Sequence, residues 1–459
     1  LYDGLTARSQ NRLGSLKFDL LSINDRLSNF LTAGFYYKTF MWPAAFWEKL
    51  YEPIIRHAAG LGSLSKIDDP DLYDKGFLHC DQLIIGAGPA GLSAALVAGR
   101  SGAQVILADE DFRMGGRLNS ETFAIGDQSG ADWATATVAE LATMPNVRLL
   151  PRTTVIGAFD HGIFSAVERV SDHLAVPATG KPRQILWRIY AKSSLLCAGA
   201  TERPIGFENN DRPGIMLASA MRTYGNRFGV ATDKRVAIFT NNDDGHRTAA
   251  DLHAKGVKIA AVVDTRPDAP QSGDYEVLAG AQVIDTKGRL GLTFAEVRQA
   301  HGFARTLAVR ALGMFVRRYP HVHMNCHQPA LPAAPATLSR FTLLQTPPSV
   351  CPVAGAATGA FSTAAALSTG AKAAAAQLRH LGFQPKPPRQ PKTEDTPTNV
   401  PPFWYVQGCN RACLDQQNAG TVKDVTLAPP EGVRAVRHAT RHPTLALSPD
   451  QGHTDHTRR

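Results

Sequence analysis

Residues 81–117, DQLIIGAGPAGLSAALVAGRSGAQVILADEDFRMGGR, decide the fold. Asp81–Ile85 is a short apolar run that predicts a strand buried in a parallel sheet. Gly86, Gly88 and Gly91 then give G-x-G-x-x-G at a strand-to-helix turn. The first glycine permits the tight turn, the second lets the backbone approach a pyrophosphate, and the third lets the helix pack on the strand. Leu92–Arg100 reads as an Ala-rich helix whose N-terminal N–H groups and positive dipole end face the diphosphate. Gln104–Ala108 is the second strand, and Asp109 and Glu110 follow the last glycine by about 20 residues, where a carboxylate accepts hydrogen bonds from the adenosine ribose. An acid at that point favours an unphosphorylated ribose, and so NAD or FAD over NADP.

Beyond this unit, residues 80–381 alternate strands and helices, which predicts a mostly parallel sheet. A faint repeat follows: a strand at Arg235–Thr240, a helix at Arg247–Lys255, and a strand at Val257–Asp264 that again ends in an acid. The intervening turn is Thr240-Asn241-Asn242-Asp243-Asp244-Gly245. Its carboxylates suit a helix N-terminus but would repel a pyrophosphate, so this unit is expected to keep the fold and to have lost the nucleotide. Leu195–Pro204 reads as a strand opening onto a Gly-containing turn, and 350–372 as a late strand, turn and Ala-rich helix. Flavoproteins with two dinucleotide domains usually place Gly-Asp at the end of that late strand, where the acid holds the ribityl chain. Here Ala356 follows Gly355, which argues for NAD and against FAD in this pocket.

The chain has 459 residues, enough for two or three domains, with 44% hydrophobic and 19% charged residues. No apolar run approaches the roughly 18–20 residues that span a membrane. No signal peptide is evident, and six dispersed cysteines suit a reducing cytoplasm. Leu1 in place of Met suggests a fragment or a processed product. The net charge of +9 comes without an aromatic-interleaved basic stripe, so a nucleic-acid partner is not expected. Residues 1–76 read as an aromatic-rich wrapping segment, helical around Trp47–His57, with rings capping the core and a polar loop at Ile67–Gly76. A membrane-facing helix is disfavoured because the aromatics do not share one stripe. Residues 77–383 form the dinucleotide-binding domain, 384–402 a Pro-rich linker, and 403–459 a small helical unit capped at Thr421.

The stretches LYDGLTARSQNR, LTAGFYYKTFMWPAAFWEKLYEP, GAGPAGLSAALVAGRSGAQVILADEDFRMGGRL, LCAGATERPIGFENNDRPGIMLASAMRTYGNRFGV, FTNNDDGHRTAADL and TVKDVTLA together resemble the alpha subunits of heterotetrameric sarcosine oxidases. The resemblance implies an α/β chain with a two-dinucleotide-domain, glutathione-reductase-like FAD/NAD(P)-binding fold and a small C-terminal helical domain. It also implies assembly with beta, gamma and delta subunits. Similar complexes demethylate sarcosine oxidatively to glycine, giving formaldehyde or 5,10-methylenetetrahydrofolate and hydrogen peroxide. The beta subunit carries FAD, a covalent FMN lies near the alpha–beta interface, and the alpha subunit holds NAD. The family's NAD contacts fall on Ala90, Asp109, Glu110, Asp111, Arg117, Val155, Ala356, Phe361 and Thr363. No catalytic residue is expected on this chain.

Three departures qualify the likeness. The ferredoxin-like and folate domains of similar subunits are missing, so no folate binding is expected. Residues 297–345 fit only in part. The C-terminal unit offers Cys409 and Cys413 where related opine and proline dehydrogenase subunits carry four cysteines for an iron–sulfur cluster, so no metal is expected there. The H-x-H-x-x-C-H pattern of His321, His323, Cys326 and His327 is read as structural rather than as zinc-binding. Glu202 and Arg203 fit either a cofactor or subunit contact or a plain exposed turn. The alternatives are a related opine, proline or amine dehydrogenase subunit and a non-catalytic scaffold that holds a nucleotide.

Overall fold

A computed structural model describes residues 4–5, 12–15, 17–26, 40, 42–58, 60, 68–202, 204–299, 304–315, 318–320, 333–336, 341–344, 351–386, 391–393, 403, 405–408, 412–415 and 420–422. The first unit is a strand β1 (Tyr73–Ile85), a helix α1 (Pro89–Arg100) and a strand β2 (Val105–Ala108). β1 lies parallel to β2 on one side and to Gln184–Leu196 on the other, and Val147–Leu150 extends the sheet beyond β2. Ile163–Glu168 and Thr153–Phe159 complete the six strands as antiparallel additions.

The apolar run in β1 follows from burial on both faces. Ile84 packs with Leu107 and Leu195 under the helices, while Leu83 and Ile85 pack with Ile106, Phe164 and Ile189 on the opposite face. β1 begins at Tyr73, within the stretch expected to be a polar loop. Its first half pairs with Gln184–Ala191 but exposes Tyr73, Asp74, Lys75 and Phe77. A half-exposed strand carries polar residues, and this hid it.

The second unit repeats the arrangement. Ile215–Leu217, Ala311–Phe315, Arg235–Thr240, Lys258–Asp264 and Val277–Ala279 form a five-stranded sheet in that spatial order, parallel throughout. Its helix is Asp243–Ala254, starting four residues before the expected Arg247 because Asn242 caps it, accepting the Asp244 N–H at 2.9 Å. A three-stranded antiparallel sheet of Ala281–Lys287, Phe294–Gln299 and Arg305–Ala308 packs beside it.

The chain then returns to the first unit. Val353 bridges Leu196, and the helix Thr363–His380 packs on α1. That contact is very close: a Cβ on Gly370 would lie 2.1 Å from the Ala90 carbonyl oxygen. Part of the Pro-rich linker is docked, since Thr393 bridges Ile125 and the Lys392 carbonyl accepts the Gly126 N–H at 2.7 Å.

Two expectations for the ends change. None of the helical residues in 44–58 is buried, and Trp42 is 85% exposed, so the described part of the aromatic segment does not cap the core. In the C-terminal unit, Cys413–Asp415 and Gly420–Thr421 pair as two short strands. Most of residues 403–459, including Cys409, lies outside the described residues, as do Arg203, His321, His323, Cys326 and His327. No helix of the described residues is long and apolar enough to cross a membrane.

Candidate dinucleotide site

The glycine turn joins β1 to α1, and each glycine meets a different constraint. Gly86 holds φ +100°, and a Cβ there would lie 2.4 Å from the Cys197 carbonyl oxygen. At Gly91 a Cβ would lie 1.8 Å from the Gly86 carbonyl oxygen. Gly88 differs: it is the N-cap of α1 with φ −72° and ψ −173°, ordinary extended backbone, and a Cβ there meets nothing within 4 Å. The first and third glycines are needed by the protein, while the second faces open space. With Pro89 at the first helical position, the first-turn N–H groups of Ala90 and Gly91 point out of the helix end with no intrahelical acceptor.

The residues beyond β2 are built into this turn. Asp109 accepts the Ala87 N–H at 2.5 Å on one carboxylate oxygen and the Asp111 N–H at 2.8 Å on the other. Burial pushes its carboxyl up, against the pull of those two bonds. Glu110 is exposed. Asp111 is gripped by Arg227 of the second unit at 2.6 and 2.9 Å. Burial alone would raise the Asp111 carboxyl, but the Arg227 bonds and charge outweigh it and hold it below its usual value.

Arg117 closes the opposite side. Its loop packs on the glycine turn: the Gly115 N–H donates to Ala87 at 2.9 Å, and a Cβ on Gly116 would lie 2.9 Å from Gly88 Cα. The Arg117 guanidinium pairs with buried Glu121 and donates to the Phe361 carbonyl at 3.0 Å. It thereby ties the glycine turn to the late turn. There Ala356 lies in the short helical turn Gly355–Thr358, and Gly355 faces Ala90 so closely that its Cβ would come within 2.6 Å of the Ala90 Cβ. Ser362 caps the next helix, and the Oγ1 of Thr363 behind it is buried without a hydrogen-bond partner. Val155 packs in the core beside Ala108 and Leu196. Its strand reaches the ribose end through Thr153, whose N–H donates to the Asp109 backbone carbonyl at 2.7 Å.

One pole of the second unit is closed by its own side chains. Asp264, fully buried at the position matching Asp109, receives Arg266 at 2.7 Å and His246 at 2.8 Å. Asp243 adds a second carboxylate to Arg266 at 2.8 Å, and the Thr240 side chain fills the space under Gly245. Glu202 is not the exposed turn residue that one reading allowed. It is buried, and it caps the helix Ala218–Phe228 by accepting the Ser219 N–H at 2.8 Å. Among the described residues no three His, Cys, Asp or Glu side chains form a group that could hold a metal.

Sequence reasoning did not find Arg152, Arg169 or His173, which line a cavity with Glu110 and Asp111. They belong to no motif. Ligands of open α/β sheets bind beyond the C-terminal ends of the strands, and that rule points to Arg152, just past Val147–Leu150.

A family model described as FAD dependent oxidoreductase matches residues 81–158. The chain is 47% identical over 460 residues to the sarcosine oxidase subunit alpha of Rhizobium meliloti (strain 1021), covering 98% of this chain and 46% of that protein. It is 36% identical over 422 residues to the corresponding subunit of Corynebacterium sp. (strain P-1), covering 86% and 43%. Among solved structures, L-proline dehydrogenase from P. horikoshii superposes with a TM-score of 0.60 at 20% identity, covering 84% of this chain and 74% of that one. Together with the two βαβ units, these likenesses establish the two-dinucleotide-domain fold with a flavin- or dinucleotide-binding first unit. The chain spans about half the length of the curated relatives it matches, and it belongs to the sarcosine oxidase alpha-subunit family.

Proposed function

We propose that the chain is the nucleotide-holding alpha subunit of a sarcosine oxidase-type complex, binding NAD at the first glycine turn while another subunit demethylates sarcosine to glycine. Gly88 and the N–H groups of Ala90 and Gly91 would hold the pyrophosphate, and Asp109 and Glu110 the ribose hydroxyls. Ala356, Phe361 and Thr363 would flank the far end, with Arg117 fixing that turn in place. The observation that carries this reading is the cradle itself: the one turn glycine whose Cβ would have free space sits at a helix N-terminus, beside a loop tied to a late turn with an orphaned buried hydroxyl. A nicotinamide dinucleotide supplies a two-electron hydride acceptor when bound. The chain's own residues bind and orient it, and the positive helix end offsets its phosphate charge.

NAD is favoured over FAD because Ala356 offers no carboxylate to a ribityl chain. An FMN would lie outside this site, at a border with the beta subunit. The partners are the beta, gamma and delta subunits, and the compartment is the cytoplasm. The test is sarcosine-dependent formation of glycine and hydrogen peroxide by a complex reconstituted with this chain. Absence of turnover with sarcosine, beside turnover with an opine or proline, would move the assignment to a related dehydrogenase.

A further inference from the structure

The helix Ala218–Phe228 of the second unit ends against the loop that carries the candidate ribose carboxylates. Asp109, Glu110 and Asp111 are consecutive there, so this loop brings three negative charges toward the place where a pyrophosphate would lie. Burial raises the Asp109 carboxyl, and the charges of Asp111 and Glu110 raise it further. One of the three charges is cancelled from outside the first unit. Arg227 donates to both Asp111 carboxylate oxygens, at 2.6 and 2.9 Å, in the forked geometry that suits a carboxylate. Its guanidinium also lies 4.6 Å from the Phe112 ring centroid, and its side chain is only 10% exposed. The helix behind it is pinned within its own unit by Arg222, which donates to Asp251 at 2.7 Å.

The grip continues inward as a chain of contacts. The Asp111 N–H donates to one Asp109 carboxylate oxygen at 2.8 Å, and the Asp111 carbonyl accepts the Arg152 N–H at 2.9 Å. The other Asp109 oxygen accepts the Ala87 N–H, inside the glycine turn, at 2.5 Å. Fixing the Asp111 side chain therefore fixes the peptide that aims Asp109. We propose that Arg227 is a positioning residue for the dinucleotide: acting through Asp111, it sets the ribose loop and removes one of its negative charges, so that affinity at the first unit depends on a side chain of the second. This rests on the reading of the glycine turn as the dinucleotide site. Two other bonds cross the same border without reaching that loop. The Asn226 amide donates to the Ser120 carbonyl at 2.8 Å, and the Thr122 hydroxyl donates to Asp251 at 3.0 Å. Breaking the second of these loosens the border while leaving Asp111 untouched.

The experiment is calorimetric titration of the purified full chain with NAD⁺, for the wild type, Arg227→Met, Arg227→Lys, Asp111→Asn, the Arg227→Met/Asp111→Asn double variant and Thr122→Val. Arg227→Met should weaken NAD⁺ binding at least about fivefold, the order expected when hydrogen bonds to a charged group are lost. Arg227→Lys keeps the charge without the planar fork and should bind with intermediate affinity. Because Arg227 acts through Asp111, the double variant should bind within about twofold of the weaker single variant. Thr122→Val should match the wild type in affinity. If Arg227→Met does not fold, the same cycle built on Arg227→Lys decides the matter. Unchanged affinity in the Arg227 variants, losses that multiply in the double variant, or an equal loss in Thr122→Val would each overturn the proposal and leave the glycine turn as the site. A wild-type chain that binds no NAD⁺ would overturn the parent reading, and this one with it.

Discussion

Substituting alanine at Gly88 and at Gly91 should separate nucleotide binding from folding, because the same added methyl group meets opposite surroundings. At Gly88 the backbone is in a region open to every residue and the Cβ meets nothing within 4 Å. The folding cost is then the loss of a tolerated N-cap residue, at most about 1 kcal/mol. The methyl group stands where a pyrophosphate must approach. Losing one or two N–H contacts to a charged oxygen, at roughly 1.5–3 kcal/mol each, weakens binding by at least about tenfold. At Gly91 the Cβ falls 1.8 Å from the Gly86 carbonyl oxygen. Overpacking there costs about 1–3 kcal/mol or more, a fall in melting temperature of roughly 1–5 °C for a chain of this size. Thermal unfolding followed by circular dichroism, with nucleotide titration of each variant, reads both effects. A Gly88→Ala protein that retains its nucleotide, or that melts as early as Gly91→Ala, would refute the reasoning.

Thr363→Val removes a buried hydroxyl that has no partner. It should leave the melting temperature of the nucleotide-free chain unchanged or raised, and weaken nucleotide binding about fivefold by calorimetry. Burial raises the Glu202 carboxyl to about 7, against the opposing Ser219 hydrogen bonds and the Arg222 and Arg117 charges. The folded chain therefore keeps that proton across the window from the ordinary value of 4.5 up to about 7, and stability to urea should fall as the pH rises through it. Glu202→Gln should flatten that slope; an unchanged slope would remove Glu202 as its source. In the second unit, Asp264→Asn weakens the bonds from Arg266 and His246. It should lower stability by about 1–3 kcal/mol in denaturant melts while leaving one nucleotide bound per chain.

Much of the site was legible because its demands are local. A glycine turn between an apolar strand and an Ala-rich helix has few alternatives, and the acidic turn at 240–245 displayed its charges in sequence. The rest depends on contacts between distant segments. Arg117 bonding Phe361, Arg227 holding Asp111, and Glu202 capping a helix in the second unit each join residues with no common motif. The early start of β1 was hidden because one exposed strand face carries the polar residues of a loop. The aromatic composition near Trp42 predicts rings capping the core, yet Trp42, Phe46, Leu50 and Ile54 are all exposed. Hydrophobicity alone does not say which surface a segment meets.

The most direct test of the central claim is the identity of the nucleotide released when the purified chain is denatured. The account predicts a nicotinamide dinucleotide in a ratio of one per chain, and its loss from Gly88→Ala. Release of FAD would contradict the reading of Ala356, and a wild-type chain that neither carries nor binds any dinucleotide would contradict the assignment of the glycine turn.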